Sequence, residues 1–331
     1  MILEYFNDLP IEISFFAIIC KYYQNYLSFS FHISFFLVLR TIIRLWNNIS
    51  LPYNKIYKPL THKDKSMKGI IGAISGDIIG STREHYRIKT KDFDLFPFGS
   101  IATDDTVMTL AVAKWLCEDK DSIDVLIKNL KYYGNRYINA GYGRSFLNWL
   151  VMDDPKPYGS WANGSAMRVS PCAWVADSLE EAQRLAKMSA IVTHDHPEGI
   201  KGALSTCDAI YLARTGASKD EIKSHIERNY NYDLSRRLDD IRPFYQFEIS
   251  CALSVPESII CFLEAEDFED TIRNAVSLGG DSDTQAAIAG SIASAYWEVP
   301  FDIYEKSLDY LDETLHSAYV EFERKFILPK I

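Results

Sequence analysis

The chain has 331 residues, of which 47% are hydrophobic and 24% charged, and carries a net charge of −10. Those fractions are those of a soluble globular protein long enough for one large or two ordinary domains. The acidic balance argues against an extended nucleic-acid-binding face but leaves room for a local anion site. Six cysteines, at 20, 117, 172, 207, 251 and 261, are scattered without a CxxC pair. They read as reduced thiols in a reducing, cytoplasmic compartment, and a zinc site built on sulfur is not expected.

Residues 1–66 differ in kind from the rest. They hold no glycine, 14 of the 44 aromatics, and 7 basic against 4 acidic residues, so the remainder carries 28 basic against 41 acidic. Within them, 22–39 (YYQNYLSFSFHISFFLVL) is an uncharged run of 18 residues between Lys21 and Arg40. That length is the lower limit for a membrane-spanning helix, and its Gln, Asn, His and Ser weaken the case. Three readings stand side by side: sequence upstream of a working start at Met67, a membrane-associated segment, or a helical extension packed on the domain. The body, 67–331, is expected to have no stable membrane partner.

From Gly69 onward the periodicity is helical. The Gly-rich apolar stretch 69–80 reads as a buried helix with close neighbours. Further helices are expected over 104–117, 122–138 and 178–192, the last capped by Asp177–Ser178. A helix over 197–216 opens on Pro and closes on Gly, the expected asymmetry. Others follow over 256–265, 267–279 and 283–297, and a last one, broken or continuous, over 303–326. Strand alternation is scarce, so the fold class is all-α, a compact bundle of about ten helices in one domain. Crowded Ala, Gly and Ser in 285–295 put that helix at the centre.

Two of these helices begin unusually. Thr103-Asp104-Asp105-Thr106 opens one, and Asp281-Ser282-Asp283-Thr284 opens another. Either alone is an over-endowed N-cap. Together, four carboxylates on two buried helices repel one another and cost desolvation unless positive charge sits between them. Neither cluster contains Lys or Arg. Hard divalent cations suit carboxylate and hydroxyl oxygens, and four Asp balance two such ions. A two-ion magnesium site is therefore expected, manganese being the alternative, with Thr103 and Thr284 hydroxyls completing the coordination.

These motifs, with GAISGDIIGSTRE (72–84), NGSAMR (163–168) and HDHPEGIKGA (194–203), resemble the ADP-ribosylglycohydrolase family in the family's order across 67–331. The resemblance implies an all-α fold with a binuclear magnesium centre. Its ligands here would be Thr103, Asp104, Asp105, Asp281, Asp283 and Thr284. It implies a catalytic carboxylate at Glu84, acting beside Asp104 and Asp283, and cleavage of the glycosidic bond joining ADP-ribose to an acceptor. The partner would be an ADP-ribosylated protein or a small-molecule ADP-ribosyl conjugate. An inactive ADP-ribose-binding or crystallin-like protein, or a metal-dependent nucleotide phosphohydrolase, are the alternatives. Asp77 reads as structural, bonding backbone near the metal site.

Three further segments are candidate ligand contacts. Asn163, Gly164 and Ser165 can offer N–H groups and a hydroxyl to a diphosphate. The family uses the 139–149 loop near ribose and adenine, which makes Tyr142, Gly143, Ser145 and Phe146 lining residues. Its two glycines alone are a weak dinucleotide signal. Arg168 either binds phosphate or braces its loop. In THDHPEG, His194 is read as a structural or ligand-contact residue rather than a metal ligand, and Asp195 as a cap or loop residue. The polar stretch 233–251 reads as a surface loop or short helix with solvated arginines.

Overall fold

The computed structural model describes residues 67–328, and the readings made for residues 1–66 lie outside it. Fifteen α-helices follow one another among the described residues: α1 Ile71–Gly80, α2 Asp104–Glu118, α3 Ile123–Arg136, α4 Arg144–Val151, α5 Gly164–Met167, α6 Ser170–Val175, α7 Leu179–Ile191, α8 Pro197–Arg214, α9 Lys219–Tyr230, α10 Leu238–Ile241, α11 Cys251–Leu263, α12 Phe268–Ser277, α13 Ser282–Tyr296, α14 Phe301–Leu308 and α15 Glu313–Phe322. A π-helical turn, Glu323–Ile327, ends them. Among the described residues there is no strand, only one isolated bridge between Ala162 and Ser250. The fold is all-α, and none of these helices is long and apolar enough to cross a membrane.

The organising contact is α1 against α13. Gly72, Gly76 and Gly80 recur every four residues and so form one stripe along α1. A Cβ at Gly72 would overlap the Ser294 side chain and the Gly290 carbonyl, and one at Gly76 the Ala286 carbonyl. At Gly80 it would lie 2.5 Å from the Ser282 carbonyl oxygen. The two backbones therefore touch along their whole shared length. Every residue of α1 is buried, as is every residue of α13 except Tyr296. The central position expected for the small-residue helix is the one it occupies.

Around this pair, α12, α11 and α8 pack on α13, and α2, against which α3 and α15 pack, lies on α1. The start of α2 is set beside the middle of α1, and the start of α13 beside the end of α1. Both acidic helix mouths thus open at one end of the central pair.

The helix count exceeds the expectation mainly because short helices α4, α5, α6 and α10, together with α9, carry little periodic signal. One boundary differs for a physical reason, and one left open is settled as a break. The helix expected to start at Pro256 begins at Cys251, and Pro256 lies inside it. Pro cannot donate to the carbonyl four residues back, and burial of Val255, Ile259, Ile260 and Phe262 outweighs that loss. The C-terminal helix is broken at 309–312, where Asp312 caps α15 by accepting from Thr314 and Leu315 N–H groups, both at 3.0 Å. The five described cysteines are free and buried.

Gly76→Ala forces a methyl into the Ala286 carbonyl. It is expected to lower unfolding free energy by about 3 kcal/mol, the upper end for overpacked cores, read as a lower denaturant midpoint with an unchanged slope.

Candidate metal centre and cleft

Asp77 ties α1 to the mouth of α2. Its side chain is fully buried. One carboxylate oxygen accepts from the Thr103 hydroxyl at 2.6 Å. The other accepts from the Thr103 N–H at 2.9 Å, the Thr106 N–H at 3.1 Å and the Thr106 hydroxyl. Asp77 therefore satisfies N–H groups that the first turn of a helix leaves without partners. With the Thr103 proton directed at Asp77, the lone pairs of that hydroxyl are left for other partners.

The remaining carboxylates gather beside it. Asp105 Oδ2 accepts from the Thr284 hydroxyl at 3.2 Å, joining the mouths of α2 and α13 directly. Asp105 Oδ1 is buried with no hydrogen-bond partner. Asp283 Oδ1 accepts from the Thr284 N–H at 3.0 Å, and Asp281 Oδ2 from Asn163 Nδ2 at 2.8 Å. Asp77, Asp105 and Asp283 each present an oxygen, and these oxygens lie within 4.8 Å of one another. Gly141 (φ +118°) passes close to Asp104, where a Cβ would stand 2.9 Å from Oδ1.

The electrostatics follow from burial without cations. Burial, ahead of the charges of Asp77 and Asp281, pushes the Asp104 carboxyl up to about 8. Burial, then Asp77 and Asp104, holds Asp105 well above the carboxylate range, and burial, then Asp281 and Asp105, does the same to Asp283. Burial raises Asp77 and Asp281 to about 6, against the hydrogen bonds from Thr103 and Asn163 that favour their charged forms. A buried carboxylate oxygen without a donor, among like charges, is the setting in which a hard divalent cation is favoured.

The cluster forms the base of a cleft of about 1020 Å³. Thr103, Asp104, Asp105, Asp281, Asp283 and Thr284 all line it. So does Glu84, on the turn after α1, whose carboxylate is 3.2 Å from His85 Nδ1. Glu84 and the aspartate cluster thus border the same cleft.

Tyr142, Gly143, Ser145 and Phe146 also line the cleft, where α4 begins. Tyr142 and Phe146 rings lie 5.1 Å apart, and Phe146 stacks on Trp149 at 5.5 Å. Asn163 and Gly164 line the opposite wall, but Ser165 does not: its hydroxyl donates to the Gly199 carbonyl at 2.7 Å. The Asn163 N–H is likewise spent on the Ile249 carbonyl at 2.8 Å, which leaves this residue to hold Asp281. The Asn163 N–H and the Ser165 hydroxyl therefore have protein partners, while Asn163 and Gly164 keep their places on the cleft wall.

Arg168 is a brace. It is almost fully buried, and Nη2 donates to the Ser189 carbonyl and to Thr193 Oγ1, both at 2.7 Å. His194 lines the cleft, with Nδ1 at 2.7 Å from Thr193 Oγ1. Asp195 accepts from the Gly159 N–H at 2.7 Å, and His196 caps α8 by accepting from the Glu198 N–H. The HDH triplet is spent on three separate tasks. Arg236, expected to be solvated, pairs with buried Glu257 at 2.6 Å.

Sequence patterns do not reveal the rim. Tyr86, Phe98, Ile101, Trp161, Phe247 and Ile249 are exposed and line the mouth of the cleft. They sit singly in loops where no period marks them.

Comparison with known proteins comes to the same family from outside the geometry. A family model described as ADP-ribosylglycohydrolase matches residues 58–324, starting nine residues before Met67. The chain is 27% identical over 338 residues to ADP-ribosylhydrolase ARH3 of Mus musculus, covering 76% of this chain and 91% of that protein. It is 25% identical over 270 residues to ADP-ribosylarginine hydrolase Tri1 of Pseudomonas putida, covering 71% of each. A solved structure titled ADP-ribosylglycohydrolase-related protein complex superposes with a TM-score of 0.60 at 22% identity, over 79% of this chain and 97% of that one. This last likeness speaks to the fold.

The raised carboxyls give a signed pH dependence. Without a cation, the folded chain holds protons that the unfolded chain releases. Stability of chelator-treated protein is therefore expected to fall as pH rises from 3.8 through about 8. Thermal melts at pH 8 should recover on adding magnesium, and Asp105→Asn should flatten the pH dependence while abolishing that recovery.

Proposed function

The chain belongs to the ADP-ribosylglycohydrolase family, and from that premise we propose that it is a magnesium-dependent hydrolase cleaving the glycosidic bond between the terminal ribose of ADP-ribose and an acceptor, with release of ADP-ribose. The observation that carries the reading is the meeting of two acidic helix mouths in one buried cluster, with an orphaned Asp105 oxygen at the base of a large cleft. Family relatives named as ADP-ribosylhydrolases support it.

Thr103, Asp104, Asp105, Asp281, Asp283 and Thr284 are the residues proposed to hold the cations. Oxygen donors without sulfur suit magnesium, with manganese the alternative. Bound there, the ions would orient ribose hydroxyls and acidify a coordinated water or hydroxyl. Asp77 keeps the Thr103 hydroxyl proton turned away from the cation side, and Asn163 fixes Asp281.

The protein's own chemistry centres on Glu84. Glycosidic cleavage develops positive charge on the ribose, and a carboxyl group beside it can, when protonated, give a proton to the departing oxygen or nitrogen, or, as the carboxylate, take one from attacking water. Glu84 is the carboxylate on the cleft wall that is not buried among the aspartates. Tyr142 and Phe146 offer a tilted aromatic wall for adenine. The acceptor lies toward the apolar rim, and either a protein side chain or a small-molecule conjugate fits that opening.

Glu84→Gln is expected to lower kcat on an ADP-ribosyl substrate by about 100-fold or more, with magnesium-induced stabilisation intact. Mass spectrometry of wild-type products should show intact ADP-ribose. AMP plus ribose phosphate would mark a phosphohydrolase instead, and ADP-ribose binding without any cleavage would mark an inactive binding protein.

A further inference from the structure

Arg168 lies almost fully buried, and its hydrogen-bond partners are neutral oxygens, the Ser189 carbonyl and the Thr193 hydroxyl. Its Nε is buried with no partner. A buried guanidinium without a carboxylate partner is costly, and the fold retains this one at the cleft wall. What it touches suggests why.

A guanidinium can only donate. At Thr193 Oγ1 it must therefore be the donor, which leaves the Thr193 hydroxyl proton for another atom. Among the described residues, His194 Nδ1, at 2.7 Å, is placed to take it. Nδ1 is then an acceptor and carries no proton. Burial, reinforced by the Arg168 charge, holds the imidazole well below its ordinary pKa, so the ring is neutral. The one ring proton must sit on Nε2. Nε2 lies beside Gly164, a fellow lining residue of the cleft, where a Cβ on that glycine would approach to 3.1 Å. The other titratable neighbour is Tyr158, whose ring centroid is 6.1 Å away, and the adjacent Asp195 is engaged by the Gly159 N–H.

We propose that Arg168 is a positioning residue that acts through Thr193 on His194, locking it as a neutral Nε2–H donor aimed at an anionic oxygen of the ligand, of the diphosphate class. The relay has a direction, Arg168 to Thr193 to His194 to ligand. Each member donates to the next, so the buried positive charge polarises the terminal N–H toward an anion. The same arrangement gives a hydroxyl or an uncharged acceptor much less. The ligand class rests on the proposed function, whereas the tautomer does not.

The test has two arms. In the free protein, 15N NMR of the His194 ring should place the proton on Nε2 at neutral pH. Thr193→Ser should keep that pattern and Thr193→Val should lose it. In calorimetry, Arg168→Met should weaken ADP-ribose about tenfold or more, the range for one hydrogen bond to a charged group. Adenosine, which lacks phosphate, should bind Arg168→Met as it binds wild type, and Arg168→Lys should recover part of the ADP-ribose loss. A wild-type proton on Nδ1, a charged ring, or a Thr193→Val spectrum like that of wild type overturns the relay whatever the enzyme's substrate. An Arg168→Met loss equal for ADP-ribose and adenosine overturns the diphosphate assignment and leaves hydrolysis itself untouched.

Discussion

Carboxylates crowd the base of one cleft, drawn from helices far apart in sequence and mostly buried, with no lysine or arginine paired to them among the described residues. Asp104, Asp105 and Asp283 are raised above their ordinary pKa first by loss of water and then by their neighbours' charges. Such a cluster is unfavourable by itself. The hydrogen bonds from Thr103, Thr106, Thr284 and Asn163 satisfy some oxygens but leave Asp105 Oδ1 with none. A doubly charged ion held there, as proposed, would supply both the missing partner and the missing charge.

The fold serves this constraint through backbone contact. The glycine stripe of α1 lets α13 approach until the two main chains touch, which sets the Asp281–Thr284 mouth beside the end of α1. Asp77, one turn before that end, then pins the Thr103–Thr106 mouth of α2 alongside. A single buried carboxylate thus converts the position of one helix into the position of another. Substitutions at the stripe and at Asp77 bear on the same geometry, though one acts by bulk and the other by hydrogen bonding.

Much of the centre was legible because its residues are consecutive. TDDT and DSDT announce themselves as too many oxygens for a cap, and small-residue spacing in 285–295 marks the central helix. What was not legible depends on partners distant in sequence. Ser165 looks available until Gly199 is placed beside it, and the Asn163 N–H until Ile249 is. Arg168 could be a phosphate ligand or a brace until Ser189 and Thr193 decide it. Pro256 reads as a helix start because local rules forbid it mid-helix, and apolar burial around it overrides them. The short helices and the aromatic rim carry no periodic signal at all.

The central claim is that divalent ions hold the aspartate cluster together, and metal content tests it most directly. After exhaustive dialysis against magnesium buffer and removal of free ion, elemental analysis should find about two magnesium ions per chain, as in other two-metal centres, and Asp281→Ala should lower the count. Wild-type protein that retains less than about half an ion per chain, and regains none on adding magnesium, would contradict the account, since magnesium bound through carboxylates and hydroxyls should be taken up again from solution.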